Sequence, residues 1–462
     1  MNKILIIVLL SFLISEPPIY GQWEALDQGI AYQGINSGGV YKMLMNQNKL
    51  LVTGLYLEDG YDINYNGFAH FNFQTNSWEH IFDSIYPNCY SFEFYNNKLT
   101  VSGFFELGMT PQIDGTIFTF DNDQWNWLEE SPPSTIFRMR EINNNLYMLG
   151  SFDEVGDQPS SGIAAYDGES FESIYDSISQ NNRLDDIIEW NDELYIVGKS
   201  LGSSNHTYTG LAKLNGNTFE TVHSDFTAPN HTWVYSLAVY DNKLFIGGNF
   251  NHGTGHTGNG IQYFDGEEMH EVGGGVSGFV RDMMVYKGEL YVVGGFYHLG
   301  EGSEPGQETG EFCSSVAKWN GEEWTCLFDG EFSVLENSGV RTLEIYDDTL
   351  YIGGNWASMD GDTAKSCIAR RAITPDGGLS RLDDFTVYPN PSSGMIQLQF
   401  EDRLETRAEV SLYNSIGQLV YSELLLAWEY RYSLSTETMA SGVYLVRIKL
   451  GSAIRTKRVV VK

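Results

Sequence analysis

Seven copies of a short-strand repeat, a composition rich in glycine and aromatic residues, and a C-terminal segment of different pattern together predict an all-β chain. The predicted architecture is a seven-bladed β-propeller followed by a small Ig-like β-sandwich. Among the 462 residues are 49 glycines, 28 tyrosines and 26 phenylalanines. Glycine, with the many Asn and Asp, supplies the positive φ that tight turns need, and the aromatics suit half-buried strands.

The chain opens with Lys3, an apolar run over residues 4–14 and a breaker at Pro17 and Pro18. This reads as a signal peptide over residues 1–21, with cleavage before Gln22. The run is far shorter than the roughly 20 residues a bilayer span requires. Nothing comparable follows, so no transmembrane segment is expected.

Each repeat is an apolar strand, a polar turn read as three residues, and a strand of the type Leu-Tyr-Val-x-Gly. The second-strand leucines are Leu50, Leu99, Leu146, Leu194, Leu244, Leu290 and Leu350. Four residues after each stands Gly54, Gly103, Gly150, Gly198, Gly248, Gly294 or Gly354, at spacings of 49, 47, 48, 50, 46 and 60. A period near 50 without helical stripes fits a four-stranded propeller blade better than a solenoid. A second hairpin follows in each unit, and Asp167-Gly168, Asp265-Gly266 and Asn320-Gly321 fit type I′ turns there. The seventh unit stops after its third strand, near Ala372. Trp23-Glu24-Ala25-Leu26 matches the fourth-strand segments at Trp78, Trp125 and Trp324, so the N-terminus is expected to supply the missing strand and remove an exposed edge. The propeller thus spans 22–373. Its paired glycines in FIGG, VVGG and YIGG, and the later Trp or Phe, resemble kelch and galactose-oxidase central-domain propellers. That resemblance implies the fold and carries no catalytic residue across.

After a linker at 374–382, the domain at 383–462 reads VYPNPSSGMIQLQF, AEVSLYNSIGQLVY, SGVYLVRIKL and RTKRVVVK, with strand-like alternation. Pro389, Asn390, Pro391 and Gly394, then Gly417, then Gly442 and Tyr444, and the terminal run to Lys462, resemble the type A sorting domain of the type IX secretion system of Bacteroidota. The resemblance implies secretion or display on the outer-membrane cell surface, with that machinery as partner. A generic Ig-like module would not explain these motifs together at the terminus.

Formal charge is −34. From Asp383 onward nine acidic residues balance nine basic ones, so the whole excess lies upstream. An acidic surface repels phosphate backbones and anionic headgroups, which excludes nucleic acid as the expected partner and favours cations, neutral glycans or basic proteins, although solubility alone also explains it. Of four cysteines, Cys313 and Cys326 flank the Asn320-Gly321 turn and suit a cross-strand disulfide.

Candidate binding residues come from the first strand of each repeat. Ten residues before each second-strand leucine the register can be read in columns. One holds Tyr41, Tyr90, Phe137, Asp185, Tyr235, Arg281 and Arg341; the next holds Lys42, Ser91, Arg138, Asp186, Ser236, Asp282 and Thr342. The third is wholly apolar. Polar groups therefore gather where these strands enter the channel. The proposed ligand set is Tyr41, Lys42, Arg138, Asp186, Tyr235, Arg281, Asp282 and Arg341. Arg forks there would grip a carboxylate or sulfate, and Tyr41 or Tyr235 would stack on a ring. The alternative is that the arginines pair with Asp185, Asp186 and Asp282 to bind neighbouring blades.

Long loops at 56–66, 249–260 and 297–312 share that face and suit binding. His252, His256 and His298 form a weak metal candidate, and Asp59 and Asp62 lack the spacing of a calcium loop, so no cofactor or metal is expected. No nucleophile, base and orienting group recur together. A non-catalytic binding or adhesion module for an extracellular glycan or protein is the leading class. An extracellular glycoside hydrolase, lyase or oxidase is the other, using Asp185, Asp186 and Asp282, or Cys89-Tyr90 as a crosslink site.

Overall fold

A computed structural model describes residues 22–462 apart from 28, 31–38, 47–48, 56–66, 82–85, 107–112, 122–123, 175–182, 200–209, 217, 224–225, 227–232, 251–258, 301–309, 334–338, 374–384, 393, 401–407, 415–416, 426–430, 437–438 and 451–452. The segments read as a signal peptide and a linker, most of the long loops, His252, His256 and the Asp59 to Asp62 stretch lie outside the described residues.

The described residues form seven four-stranded antiparallel sheets before residue 374. Their first strands are Gly39–Asn46, Tyr86–Tyr95, Ile136–Ile142, Arg183–Trp190, Trp233–Tyr240, Phe279–Tyr286 and Gly339–Tyr346, which define sheets one to seven. Six sheets run in chain order, and the seventh takes its outer strand from the N-terminus. Trp23 pairs with Arg371 and Glu24 with Arg370. The Arg370 to Glu24 ion pair at 3.1 Å and the Trp23 Nε1 bond to the Leu327 carbonyl reinforce that junction.

Apolar clusters between the sheets set their order. Leu51 and Phe68 of sheet one pack with Phe92 of sheet two, and each later pair of neighbours shares a cluster in the same way. The last cluster joins Ile368 and Tyr351 of sheet seven to Val40, Met43 and Leu50 of sheet one. The sheets therefore follow one another in a cycle, and burial of apolar side chains between their faces is the main favourable term holding them.

Two turn expectations are corrected. The first hairpins turn in two residues, not three: Asn143 and Asn144, Asn191 and Asp192, and Asp347 and Asp348 all have positive φ, as a type I′ turn requires. The second hairpins at Asp167-Gly168, Asp265-Gly266 and Asn320-Gly321 are not type I′. Tyr166 pairs with Phe171, which leaves the four-residue loop 167–170. There the Asp167 carboxylate accepts the amides of Glu169 and Ser170, each at 2.8 Å. Asp265 and Asn320 close their loops the same way. A side-chain acceptor two residues upstream replaces the backbone turn.

The C-terminal region holds a three-stranded and a four-stranded sheet. Both contribute to one core that includes Phe385, Ile396, Leu398, Val410, Leu412, Val446 and Val459.

Candidate functional site

In all seven sheets the first strand bulges at the same place. The pairing slips at Tyr41, Tyr90, Phe137, Asp185, Tyr235, Arg281 and Arg341, the whole of the first column. The repeated glycine makes this possible. A Cβ on Gly198 would sit 2.2 Å from the Arg183 carbonyl, and one on Gly294 would sit 1.9 Å from that of Phe279. Only glycine lets the bulged strand approach so closely. The bulge inserts an extra residue, so two successive columns are re-aimed instead of alternating across the sheet.

The result is one cavity of about 330 Å³ to which every sheet contributes. Tyr41, Lys42, Tyr90, Phe137, Arg138, Arg183, Asp185, Tyr235, Arg281, Asp282 and Arg341 line it. Seven of the eight residues proposed from sequence are here. Asp186 is not: it is 1% exposed and does not line the cavity. Five cations face two carboxylates, a surplus of three positive charges in a region that carries the entire negative excess.

The two columns do different work. In the second, side chains reach the next sheet. Asp186 accepts the amide of Leu237 at 2.9 Å, Asp282 that of Leu343 at 3.3 Å, and the Ser91 hydroxyl that of Met139 at 3.1 Å. Asp186 also takes Arg140 at 3.0 Å and Arg138 at 3.6 Å. The Lys42 ammonium donates to the carbonyls of Phe92 and Met139 and to Glu93. An ammonium has three donors, so Lys42 has none left. Lys42, Arg138, Asp186 and Asp282 thus tie sheets together, and Lys42, Arg138 and Asp282 do so while also lining the cavity. Buried charges are tolerated when paired and hydrogen-bonded in this way.

The first column keeps its chemistry available. Arg281 lies 4.0 Å over the Tyr235 ring and Arg341 lies 4.9 Å over that of Tyr41. Among the described residues neither has a carboxylate in ion-pair contact, and the Arg341 Nε is buried without a hydrogen-bond partner. Burial pulls Arg281 below its usual pKa; Tyr235 and Asp185 oppose this, while Arg341 and Arg183 add to it. The tyrosine rings each receive a guanidinium on one face, so stacking there is already used by the protein. Arg183 sits 4.4 Å over Phe137 and bonds Asp185 at 2.9 Å. Burial raises the Asp185 pKa against the pull of Arg183, and its Oδ2 has no hydrogen-bond partner.

Tyr90, Phe137, Asp185 and Arg183 line the cavity although they were not among the eight. The repeated glycine was the signal: a bulge opposite it exposes the entire first column. Cys89 faces the core, not Tyr90's cavity, and burial pushes its thiol up to about 12, which leaves it unreactive. Cys313 and Cys326 form a disulfide. His298 packs edge-on to Phe312, and no cluster of three metal-ligating side chains occurs among the described residues. No helix among them is long and apolar enough to cross a membrane.

In the C-terminal region the motif residues hold the chain end. The Asn390 side chain donates to the Arg458 carbonyl at 2.8 Å and accepts the Val460 amide at 3.0 Å. Gly394 and Gly417 take φ of 110° and 79° at turns. The buried Tyr444 hydroxyl donates to the Ala440 carbonyl, and the Lys462 amide donates to Ser392. Gly442 and Tyr444 open a strand paired with the last strand of the chain, and Pro389 and Pro391 follow cis peptide bonds.

No curated protein matches the chain with significant similarity. Among solved structures, it is similar to the β-propeller domain of the Trilobed protease from Pyrococcus furiosus at 12% identity and TM-score 0.42, covering 70% of this chain and 93% of that one. It is also similar to the Pyrococcus horikoshii acylaminoacyl peptidase at 12% identity and TM-score 0.41, covering 79% and 58%. A third likeness is the exo-β-1,3-galactanase of Phanerochaete chrysosporium, at 12% identity and TM-score 0.27, covering 80% and 94%. Residues 386–462 match the family described as the secretion system C-terminal sorting domain, so the chain ends in a type IX sorting domain and is a secreted or cell-surface cargo of that system.

Proposed function

We propose that residues 22–373 are a seven-bladed β-propeller whose channel mouth binds an anionic ligand outside the cell, without catalysis. The free Arg281 and Arg341 pair carries this reading. Two like charges within electrostatic reach of each other and partly buried are costly unless an anion joins them, and Arg forks suit a carboxylate or sulfate. Lys42, Arg138 and Arg183 are paired with Glu93, Asp186 and Asp185, so Arg281 and Arg341 are the lining cations left without a carboxylate among the described residues, which supports the same ligand class. The ligand would be an acidic group on an extracellular glycan or protein. The kelch-like glycine pattern, the Ig-like form of the C-terminal sandwich at 383–462, the linker at 374–382, the signal peptide at 1–21 and a source among the Bacteroidota belong to this reading.

The test is an array of neutral, uronate-bearing and sulfated glycans probed with the mature protein. Binding to acidic glycans, weakened about tenfold to hundredfold by Arg281→Ala and Arg341→Ala at unchanged stability, is expected. Selective binding to neutral glycans would overturn it. A second reading, an extracellular carbohydrate-active enzyme, draws on Asp185, whose raised pKa and free Oδ2 suit a general acid. Shortened or unsaturated products lost in Asp185→Asn would favour that instead.

A further inference from the structure

Resting on the anionic-ligand reading, we infer that the mouth is a blind pocket entered end-on, so that it recognises the terminal acidic residue of a glycan chain and not a residue in its interior.

The walls and the floor carry the argument. Strand starts from all seven sheets surround the cavity, so it is enclosed on every side around the axis. The inferred floor is the set of lining side chains that bond from sheet to sheet. Lys42, from sheet one, passes sheet two to donate to the Met139 carbonyl of sheet three at 3.4 Å. Arg138, from sheet three, is held by Asp186 of sheet four at 3.6 Å and lies within electrostatic reach of Asp282 on sheet six. Asp282 in turn accepts from Leu343 of sheet seven at 3.3 Å. These groups are bonded to one another and to backbone, so a ligand chain passing through would have to break several buried charged contacts at once. Arg281 and Arg341 belong to the same lining without such bonds among the described residues.

A polymer interior enters a pocket only if the chain has two ways out. A pocket floored by these bonded side chains has one. Its volume, about 330 Å³, is at the small end of the roughly 300–1,000 Å³ typical of small-molecule sites and suits a terminal residue, not a long stretch.

The experiment is calorimetric titration of the full mature protein with galacturonic acid, defined galacturonate oligomers and the polymer. A parallel arm uses glucose 6-sulfate and oligosaccharides sulfated only at the terminal residue or only internally. Binding that saturates at one protein per chain whatever its length, with the monosaccharide acid already bound, supports the inference. The arm that binds distinguishes carboxylate from sulfate. Several proteins bound per chain in proportion to its length, or binding to internally but not terminally sulfated chains, would overturn end-on entry while leaving the anionic reading intact. Silence toward every acidic probe would remove both.

Discussion

Asp185 and Asp186 are neighbours in the chain with opposite situations. Asp186, 1% exposed, receives the amides of Ile187 and Leu237 and two guanidinium groups. Asp185 lines the cavity, has one arginine partner and keeps an oxygen without any. The same contrast holds one sheet pair further on, where Asp282 is bonded into the next sheet and Arg281 stands beside it without a carboxylate. One residue of displacement separates groups that hold the ring from groups left for a ligand. A bulge produces that displacement, and a glycine on the paired strand permits the bulge.

The comparison is broken most forcefully at Asp186. Asp186→Ala would strand Arg140, Arg138 and the Leu237 amide in the interior, and it should destabilise the protein by about 3–5 kcal/mol in urea unfolding. A loss below about 1 kcal/mol would move Asp186 to the ligand side. Ser91→Ala removes only the neutral acceptor of the Met139 amide. It should cost about 1–3 kcal/mol by the same measurement, with ligand binding unchanged.

The first strand of sheet seven also has a pH signature. Burial pushes Glu344 up to about 8, helped by Asp282 and Glu93 and opposed by the Met45 amide and Lys42. The folded state therefore holds a proton that the unfolded chain releases near its ordinary value of 4.5. Stability from this group is complete below about 4.5 and is lost as pH rises to about 8. Glu344→Gln should flatten the decline of stability across that window. An unchanged slope would show that Glu344 is solvated.

Much of this was legible in the sequence. The repeat of Leu and Gly marked each second strand, and the Trp23 segment marked the outer strand of sheet seven. The columns placed seven of eight chosen residues at one cavity. What the pattern concealed was direction. Alternation in a strand has period two, and a one-residue bulge leaves the spelling of the strand intact while changing which side chains face the axis. Lys42 and Asp282 therefore look equivalent to Arg341, although both also bond into the next sheet. The Asp-Gly pairs misled for a related reason, since Asp167 acts through its carboxylate and not through a left-handed backbone.

The smallest expected effect sharpens the comparison most. Arg341→Ala removes a guanidinium stacked on Tyr41, a contact of about 0.5–1 kcal/mol, but it also removes a buried Nε without a partner and relieves Arg281 of a like charge. These changes oppose one another, so net stability should move by less than about 1 kcal/mol. The sign of coupling is the stricter test. If the two arginines repel in the empty pocket, Arg281→Ala should cost more stability when Arg341 is already absent than when it is present. With a saturating acidic ligand the coupling should reverse, because the anion then binds both. A double-mutant cycle followed by thermal unfolding, with and without ligand, measures this directly. Attraction between the arginines in the empty protein would mean that an unrecognised acidic group already sits between them, and the wall would then belong to the ring as the floor does.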